Sequence, residues 1–393
     1  MKPKCGLILL RNIRITFKTE NLMIFEILKK NLILITIDGA RLDKAKNSEI
    51  YNKRKSIFLS QCITYSPHTI AAMHAIFSGS YGTRTGTNSY WSTYKFKKEQ
   101  FHTLTEYLKD ENYFTYADIH SKIVIPKQGF DDFVVYEQNE DLTKRHLELL
   151  ERLSQNTEIE KFFLYLHYDK IHLDIIESVL KKFNNFSKEY FENQEKNIKN
   201  YEKSFHNSEL YLDQIMNKIE ELNLFKNSLV IVLSDHGISV GEKFGERAYG
   251  AFCYDYTLKT FCYFYDSELQ AQEISYQTRT IDFMPTILEL LKIPLRSNFK
   301  TLDGESLLSL FHGNEFKEKI AYSETGNPLN QNKPPKEPNT KSVRTSKWKF
   351  IYNVYNNSKE LYNLEIDPNE QINLINKGYE IEKYLWSELQ KLQ

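Results

Sequence analysis

The chain reads as an α/β protein: a central, mostly parallel β-sheet flanked by helices, with a small C-terminal α+β subdomain. Three observations predict this. The continuous apolar runs at 32–37 and 229–233 have the length and composition of strands buried on both faces. Helical patterns alternate with such runs along the chain, as parallel sheets require. Both runs end in an acidic residue near a glycine, Asp38-Gly39 and Ser234-Asp235-His236-Gly237, at the strand end where ligands of open α/β sheets bind.

Taken in order, residues 1–30 show no clear element and read as an extension. The strand at 32–37 opens a main domain expected to span 31–324. An Ala-rich helix is expected at 69–77, and an amphipathic one at 103–111, with Leu104 and Leu108 one turn apart. Residues 162–166 read as another buried strand ending in His167. The Asn/Lys/Phe-rich stretch 181–200 reads as an insertion. A helix at 210–222, with Leu212, Ile215, Ile219 and Leu222 on one face, leads into the strand before Asp235. The helix at 280–291 carries Pro285 near its start. Residues 326–341, rich in Pro, Asn and Lys, read as an exposed loop. Strands at 347–355 and 359–364 and a helix at 379–392 make up the C-terminal subdomain, 325–393.

Composition narrows the function. The 393 residues carry 52 basic and 52 acidic side chains, so the electrostatic footprint of a nucleic-acid binder is missing. The four cysteines form no CxxC pair and no disulfide framework, and Cys253 and Cys262 sit in apolar surroundings typical of core residues. The apolar run 5–10 is broken by Arg11 and Arg14, too short for a signal-peptide core. No segment approaches the ~20 apolar residues that span a bilayer, so stable membrane insertion is not expected and a cytoplasmic location is. Nothing in the pattern speaks to oligomeric state.

Two strands that deliver Asp38 and Asp235-His236 to one edge suggest a metal site, although an Asp there also starts turns and caps helices. Between them lies Ser66-Pro67-His68-Thr69-Ile70-Ala71-Ala72. Thr69 at the start of a helix is either a plain cap or a hydroxyl placed where backbone N–H groups and the helix dipole favour an anion.

The ordered set Asp38-Gly39-Ala40-Arg41-Leu42-Asp43, Thr69 ten positions before Gly79, Ser234-Asp235-His236-Gly237, Thr280–Leu288, Asp303-Gly304-Glu305, Ser342-Val343-Arg344-Thr345 and Glu360–Leu364 resembles the sulfatase branch of the alkaline phosphatase superfamily. The resemblance covers most of residues 31–374. It implies an alkaline phosphatase-like fold and a divalent ion (Mn, Mg, Ca or Zn) held by Asp38, Thr69, Asp235 and His236, with Thr69 as nucleophile. A bare threonine hydroxyl is a poor nucleophile near neutral pH and needs such activation.

The departures are equally specific. Sulfatases of this fold carry Cys or Ser in a Cys-x-Pro-x-Arg type motif, oxidised to formylglycine. Here the position holds threonine, which cannot become that aldehyde. The residues therefore resemble the threonine-nucleophile phosphodiesterase and phosphotransferase relatives. The resemblance further implies that His167 faces the substrate and that His172 protonates the leaving oxygen. Asp169 with His172 is a partial second-metal set, with ordinary loop hydrogen bonding as the alternative. No further His follows the Asp-His-Gly block, only Lys243 and Arg247, which suit an anionic group. One metal site is expected, with cationic side chains partly replacing a second, and Arg41 is a further substrate-binding candidate. His120 lies near a family His block at the wrong spacing, and His74 reads as a core histidine.

The expected substrate is a phosphate or sulfate ester of a small molecule, a glycan or a lipid head group. A phosphate (di)ester cleaved or transferred through Thr69 is the first reading. A sulfuric ester hydrolase working without formylglycine is the second, and a non-catalytic binder of anionic ligands the third.

Overall fold

A computed structural model gives the fold and describes residues 13–18, 22–27, 30–89, 92–326 and 335–392. The apolar run 5–10 and residues 327–334 of the expected Pro-rich loop lie outside that set.

Residues 1–30, expected to lack a clear element, contain the antiparallel pair β1 (Ile13–Lys18) and β2 (Leu22–Ile27). Its signal was in the sequence: Ile13, Ile15 and Phe17 alternate with Arg14, Thr16 and Lys18, the period of a strand.

The main sheet is built from β3 (Asn31–Ile37), β4 (Ile57–Ile63), β5 (Phe114–Ile119), β6 (Asp132–Val135), β7 (Phe162–Tyr168), β8 (Ser228–Leu233), β9 (Lys259–Tyr265), β10 (Gln272–Ile274) and β11 (Thr278–Arg279). Its order is β10-β4-β9-β8-β3-β7-β5-β6, with β11 also on β4. Only β9 runs against the others. The two apolar runs stand side by side at the centre, and each supplies both faces. Ile33, Ile35 and Ile37 of β3 enter one hydrophobic core, while Leu32 and Leu34 enter the other. A strand buried on both sides has no polar alternation, which is why these read as unbroken apolar segments.

The helix Gln194–Glu221 runs unbroken through part of the region expected to be an insertion. Its buried stripe includes Tyr201, Ser204, Phe205 and Ser208 ahead of Leu212, Ile215 and Ile219. Small hydroxyl residues fill the close-packed turns, so aliphatic spacing alone placed its start too late. The helix at 104–110 begins with a full capping box: Thr103 accepts from the Glu106 amide, and the Glu106 carboxylate accepts from the Thr103 amide.

A four-stranded antiparallel sheet, β12 (Ala321–Thr325), β13 (Thr340–Arg344), β14 (Trp348–Asn353) and β15 (Ser358–Asn363), follows in chain order. The expected boundary at 324/325 falls inside β12, so this sheet starts a few residues earlier. The helix Glu380–Leu392 packs Leu385 and Leu389 against Val343, Phe350 and Leu361. Ala71 and Ala75 of the helix Thr69–Ser78 join the same core, so the C-terminal sheet braces the helix that carries Thr69.

Candidate active site

Four neighbouring parallel strands, β5, β7, β3 and β8, end at one edge of the sheet. They deliver His120, then His167 and Asp169, then Asp38, then Asp235 and His236. Thr36 lies opposite His167 on one side and Leu233 on the other, which sets Asp38 between the ends of β7 and β8. The turn after β3 depends on Gly39, whose φ of +74° favours glycine and whose amide donates to Asp235 Oδ1 at 3.3 Å. A side chain at Gly237 would meet the Tyr256 carbonyl at 2.2 Å, so this loop tolerates only glycine there.

Thr69 is the first residue of its helix, and His68 is the N-cap in extended conformation without a side-chain cap. The Thr69 hydroxyl donates to Asp38 Oδ2 at 3.2 Å and lies 3.2 Å from His236 Nε2. The fold thus brings Thr69, Asp38 and His236 into direct contact. His172 Nδ1 stands 3.4 Å and His236 Nε2 3.5 Å from Asp38 Oδ1, and Asp235 Oδ2 is 3.6 Å from His236 Nε2. Asp38, Asp235 and His236 are fully buried.

The electrostatics are those of a crowded, desolvated cluster. Burial pushes the Asp38 carboxyl up, but the surrounding His172, His167 and His236 outweigh it and hold it well below its ordinary value. Asp235 goes the other way, raised by burial and by the Asp38 charge beside it. Burial, helped by His236, lowers His68 to about 3, and burial with His167 lowers His120 to about 3, so both stay neutral. His172 is raised, because Asp38 outweighs the burial that opposes its charge.

One tautomer is dictated. His236 Nδ1 lies 2.8 Å from the Gly237 carbonyl, which only accepts, so Nδ1 carries the proton. In the neutral ring the Nε2 lone pair then faces the oxygens of Asp38 and Asp235. Lone pairs facing carboxylates repel, and a cation between them removes the conflict. Asp38 Oδ1, Asp235 Oδ2, His172 Nδ1 and both oxygens of Asp169 are buried with no hydrogen-bond partner. The donor atoms of Asp38, His172 and His236 all lie within 4.8 Å of one another. Asp38, Asp235 and His236 fit a divalent ion, and His172 stands beside them with Nδ1 toward Asp38.

The remaining candidates are placed as follows. His167 is fully buried, with Nε2 3.2 Å from Asp38 Oδ2 and Nδ1 2.8 Å from the Tyr165 hydroxyl, so it orients Asp38 from within the fold. Arg41 is committed elsewhere: Nη1 donates to Glu242 at 2.5 Å and to the Ile238 carbonyl at 2.8 Å, and Nε donates to Asp43. Lys243 donates to the Glu370 carbonyl and lies 4.8 Å from the Tyr254 ring, against the C-terminal sheet. Arg247 donates to Asn185 Oδ1 at 2.6 Å. His74 packs against Phe96 in the core, as expected.

Two members of the cluster were underrated or missed. His120 sits with its ring 4.9 Å from His167 and its Nδ1 4.0 Å from Asp169, because β5 lies next to β7. Tyr249 places its hydroxyl 3.1 Å from His172 Nε2 and its ring 5.1 Å from that of His236. Nothing in the local sequence around Tyr249 separates it from the other 25 tyrosines.

The comparisons agree with this geometry. The Sulfatase family model matches residues 30–293, and that of the N-sulphoglucosamine sulphohydrolase C-terminal region matches 251–393. The chain belongs to the sulfatase family of the alkaline phosphatase-like superfamily, and is an ester hydrolase of that family. No curated protein matches it. Among solved structures it resembles the phosphonate monoester hydrolase of Agrobacterium radiobacter (TM-score 0.73, 12% identity, 93% of this chain and 95% of that one). It also resembles a protein solved with its substrate D-glucosamine-2-N,6-O-disulfate (0.68, 16%, 92% and 97%) and a 2-O GAG sulfatase (0.66, 17%, 93% and 91%). At these identities the neighbours speak for the fold. Among the described residues no helix is long and apolar enough to cross a membrane.

Proposed function

We propose that the protein cleaves or transfers a phosphate ester, a diester first, using Thr69 as the nucleophile. The observation that carries this is the Thr69 hydroxyl at a helix N-terminus, 3.2 Å from both Asp38 and His236. Asp38, Asp235, His236 and Thr69 would hold a divalent ion, which lowers the hydroxyl pKa and neutralises charge on the phosphoryl oxygens. Threonine cannot yield formylglycine, so the sulfate-ester route of the family lacks its usual nucleophile.

In this mechanism the Thr69 hydroxyl gives up its proton to solvent, Oγ1 attacks phosphorus in line, the bond to the leaving oxygen breaks, and a phosphothreonine forms. His172 gives a proton to the departing oxygen; its side chain is 16% exposed, where Asp38 and His236 are at 0%. Its Nε2 shares a hydrogen bond with Tyr249, which holds the ring in place. Water or an acceptor alcohol then displaces Thr69 from phosphorus. The helix N-terminus offers unpaired amides to the nonbridging oxygens.

The experiment compares wild type with Thr69→Ala on bis(p-nitrophenyl) phosphate and on p-nitrophenyl sulfate, with each candidate ion. Diester turnover is expected to fall by about 10³-fold or more while the thermal midpoint holds, and quenched wild type should carry one phosphoryl group on Thr69. Diester activity in Thr69→Ala within tenfold of wild type would remove Thr69 from the chemistry. Sulfate turnover exceeding diester turnover would establish the second reading, which the sulfatases among the structural neighbours favour.

A further inference from the structure

Every arginine from Arg41 to Arg344 that is not exposed holds a carboxylate, with one exception. Arg41, Arg54, Arg84, Arg145, Arg279 and Arg344 pair with Glu242, Glu220, Asp303, Asp118, Asp282 and Asp255 respectively. Arg247 is half-buried and has no acidic partner. Its Nη1 and its backbone amide both go to Asn185 Oδ1, at 2.6 and 3.3 Å, and its Nε is buried with no partner at all. Burial works against its charge, and only the hydroxyls of Tyr249 and Tyr190 act the other way. A guanidinium partly shielded from water and without an anion is less stable than a paired one, and an arriving anion offsets that difference.

The position of this group is informative. Tyr249, two residues along the same loop, touches His172 and His236. Asn185, itself buried, belongs to the opposite loop. Phe186, the residue after Asn185, and Phe244, three residues before Arg247, are exposed aromatic rings at 46% and 59%, with centroids 5.7 Å apart in an edge-on arrangement. Phe191 backs Phe244 at 5.0 Å. A cationic side chain without a carboxylate and an exposed aromatic pair therefore sit together, on two loops of which one also carries Tyr249 to His172 and His236.

We propose that Arg247, positioned by Asn185 and flanked by Phe186 and Phe244, is a subsite for the part of the substrate that is not cleaved, and that this part carries a second anionic group on an apolar body. The proposal rests on the ester-cleavage reading and narrows its substrate class to esters with two separated anions. The guanidinium takes the second anion as a fork, while the rings take the apolar segment between the two charges.

The test is calorimetric binding of alkane disulfonates, from ethane to octane, to the metal-loaded protein, each against the monosulfonate of equal length. At one or two chain lengths wild type should prefer the disulfonate by about tenfold or more, the worth of one charge-assisted pair. Arg247→Gln should bring that preference below about threefold, Arg247→Lys should keep part of it, and Phe244→Ala should weaken both ligands alike. Equal affinity for the two ligands at every length, or a preference that survives in Arg247→Gln, would overturn the subsite. Because the readout is binding, a wild type without ester turnover would sink the hydrolysis reading separately, with the disulfonate preference still measurable.

Discussion

Two buried groups of charged side chains are built in opposite ways. Under the C-terminal sheet, Asp255 and Glu370 meet Lys349 and Arg344, two carboxylates against two cations. Lys349, at 0% exposure, lies 2.8 Å from both carboxylates, and Arg344 closes on the other oxygen of Asp255. At the rim of the main sheet, Asp38, Asp235 and Asp169 have only imidazoles as ion-pair partners among the described residues, and four of their oxygens lack hydrogen-bond partners. The first group is balanced within the chain and ties β13, β14 and the 367–371 loop to the helix Asp255–Leu258. The second is deficient in positive charge, and that deficit is what a bound cation supplies. Buried charge that is paired is architecture; buried charge left unpaired points to a ligand.

Substitutions should break this contrast in a graded way. The largest effect is expected from Lys349→Met, which leaves two carboxylates buried without their shared cation. Loss of one partner from a buried pair costs about 3–5 kcal/mol, so the urea midpoint at pH 7 should drop steeply. A drop below about 1 kcal/mol would show that the cluster is not a structural tie.

Glu246 lies between the two regions and sharpens the contrast. It is fully buried and accepts from the amides of Ala251 and Phe252 and from the Tyr256 hydroxyl, yet burial pushes it up to about 7. A carboxyl whose folded value lies above its unfolded one binds more protons when folded. Stability is therefore highest below about pH 4.5 for this group and declines as pH rises to about 7, by roughly 3 kcal/mol at most. In Glu246→Gln the amide oxygen keeps both backbone bonds and Tyr256 becomes the acceptor. Denaturant midpoints between pH 5 and 8 should fall for wild type and stay flatter for the variant. Parallel slopes would assign the pH dependence elsewhere.

The smallest effect has the opposite sign. Asp235 is raised by burial and by Asp38, so its charge at pH 7 opposes folding of the metal-free protein. Asp235→Asn should stabilise the chelator-treated protein by about 1 kcal/mol and shrink the thermal shift given by Mn or Zn. A destabilised metal-free variant would mean the rim cluster is held together without any cation.

Much of this was legible in order along the chain. The apolar runs at 32–37 and 229–233 announced buried parallel strands, because a strand covered on both faces shows no alternation. Asp38, Asp235 and His236 stood out by their places at strand ends, and Thr69 by the family resemblance rather than by its place at a helix start. The strand pair Ile13–Lys18 and Leu22–Ile27 is also legible, from the alternation of apolar and polar residues in its first strand. The early turns of the helix Gln194–Glu221 were hidden by serines on the buried face. The fate of Lys243 was not legible, since it rests on the packing of the C-terminal sheet against the 241–250 loop.

By itself the sequence determined the elements with strong periodicity and the family, and it placed Asp38, Thr69, Asp235 and His236 at the ends of local elements. Only the tertiary structure decided that His120, Asp169 and His167 close around Asp38, that Tyr249 supports His172, that Arg41 is neutralised by Glu242, and that Arg247 is not. The physical reason is that periodicity is a property of neighbouring residues. Which strand lies beside which, and so which side chains from distant segments share a desolvated volume, is set by how all the buried faces are covered at once.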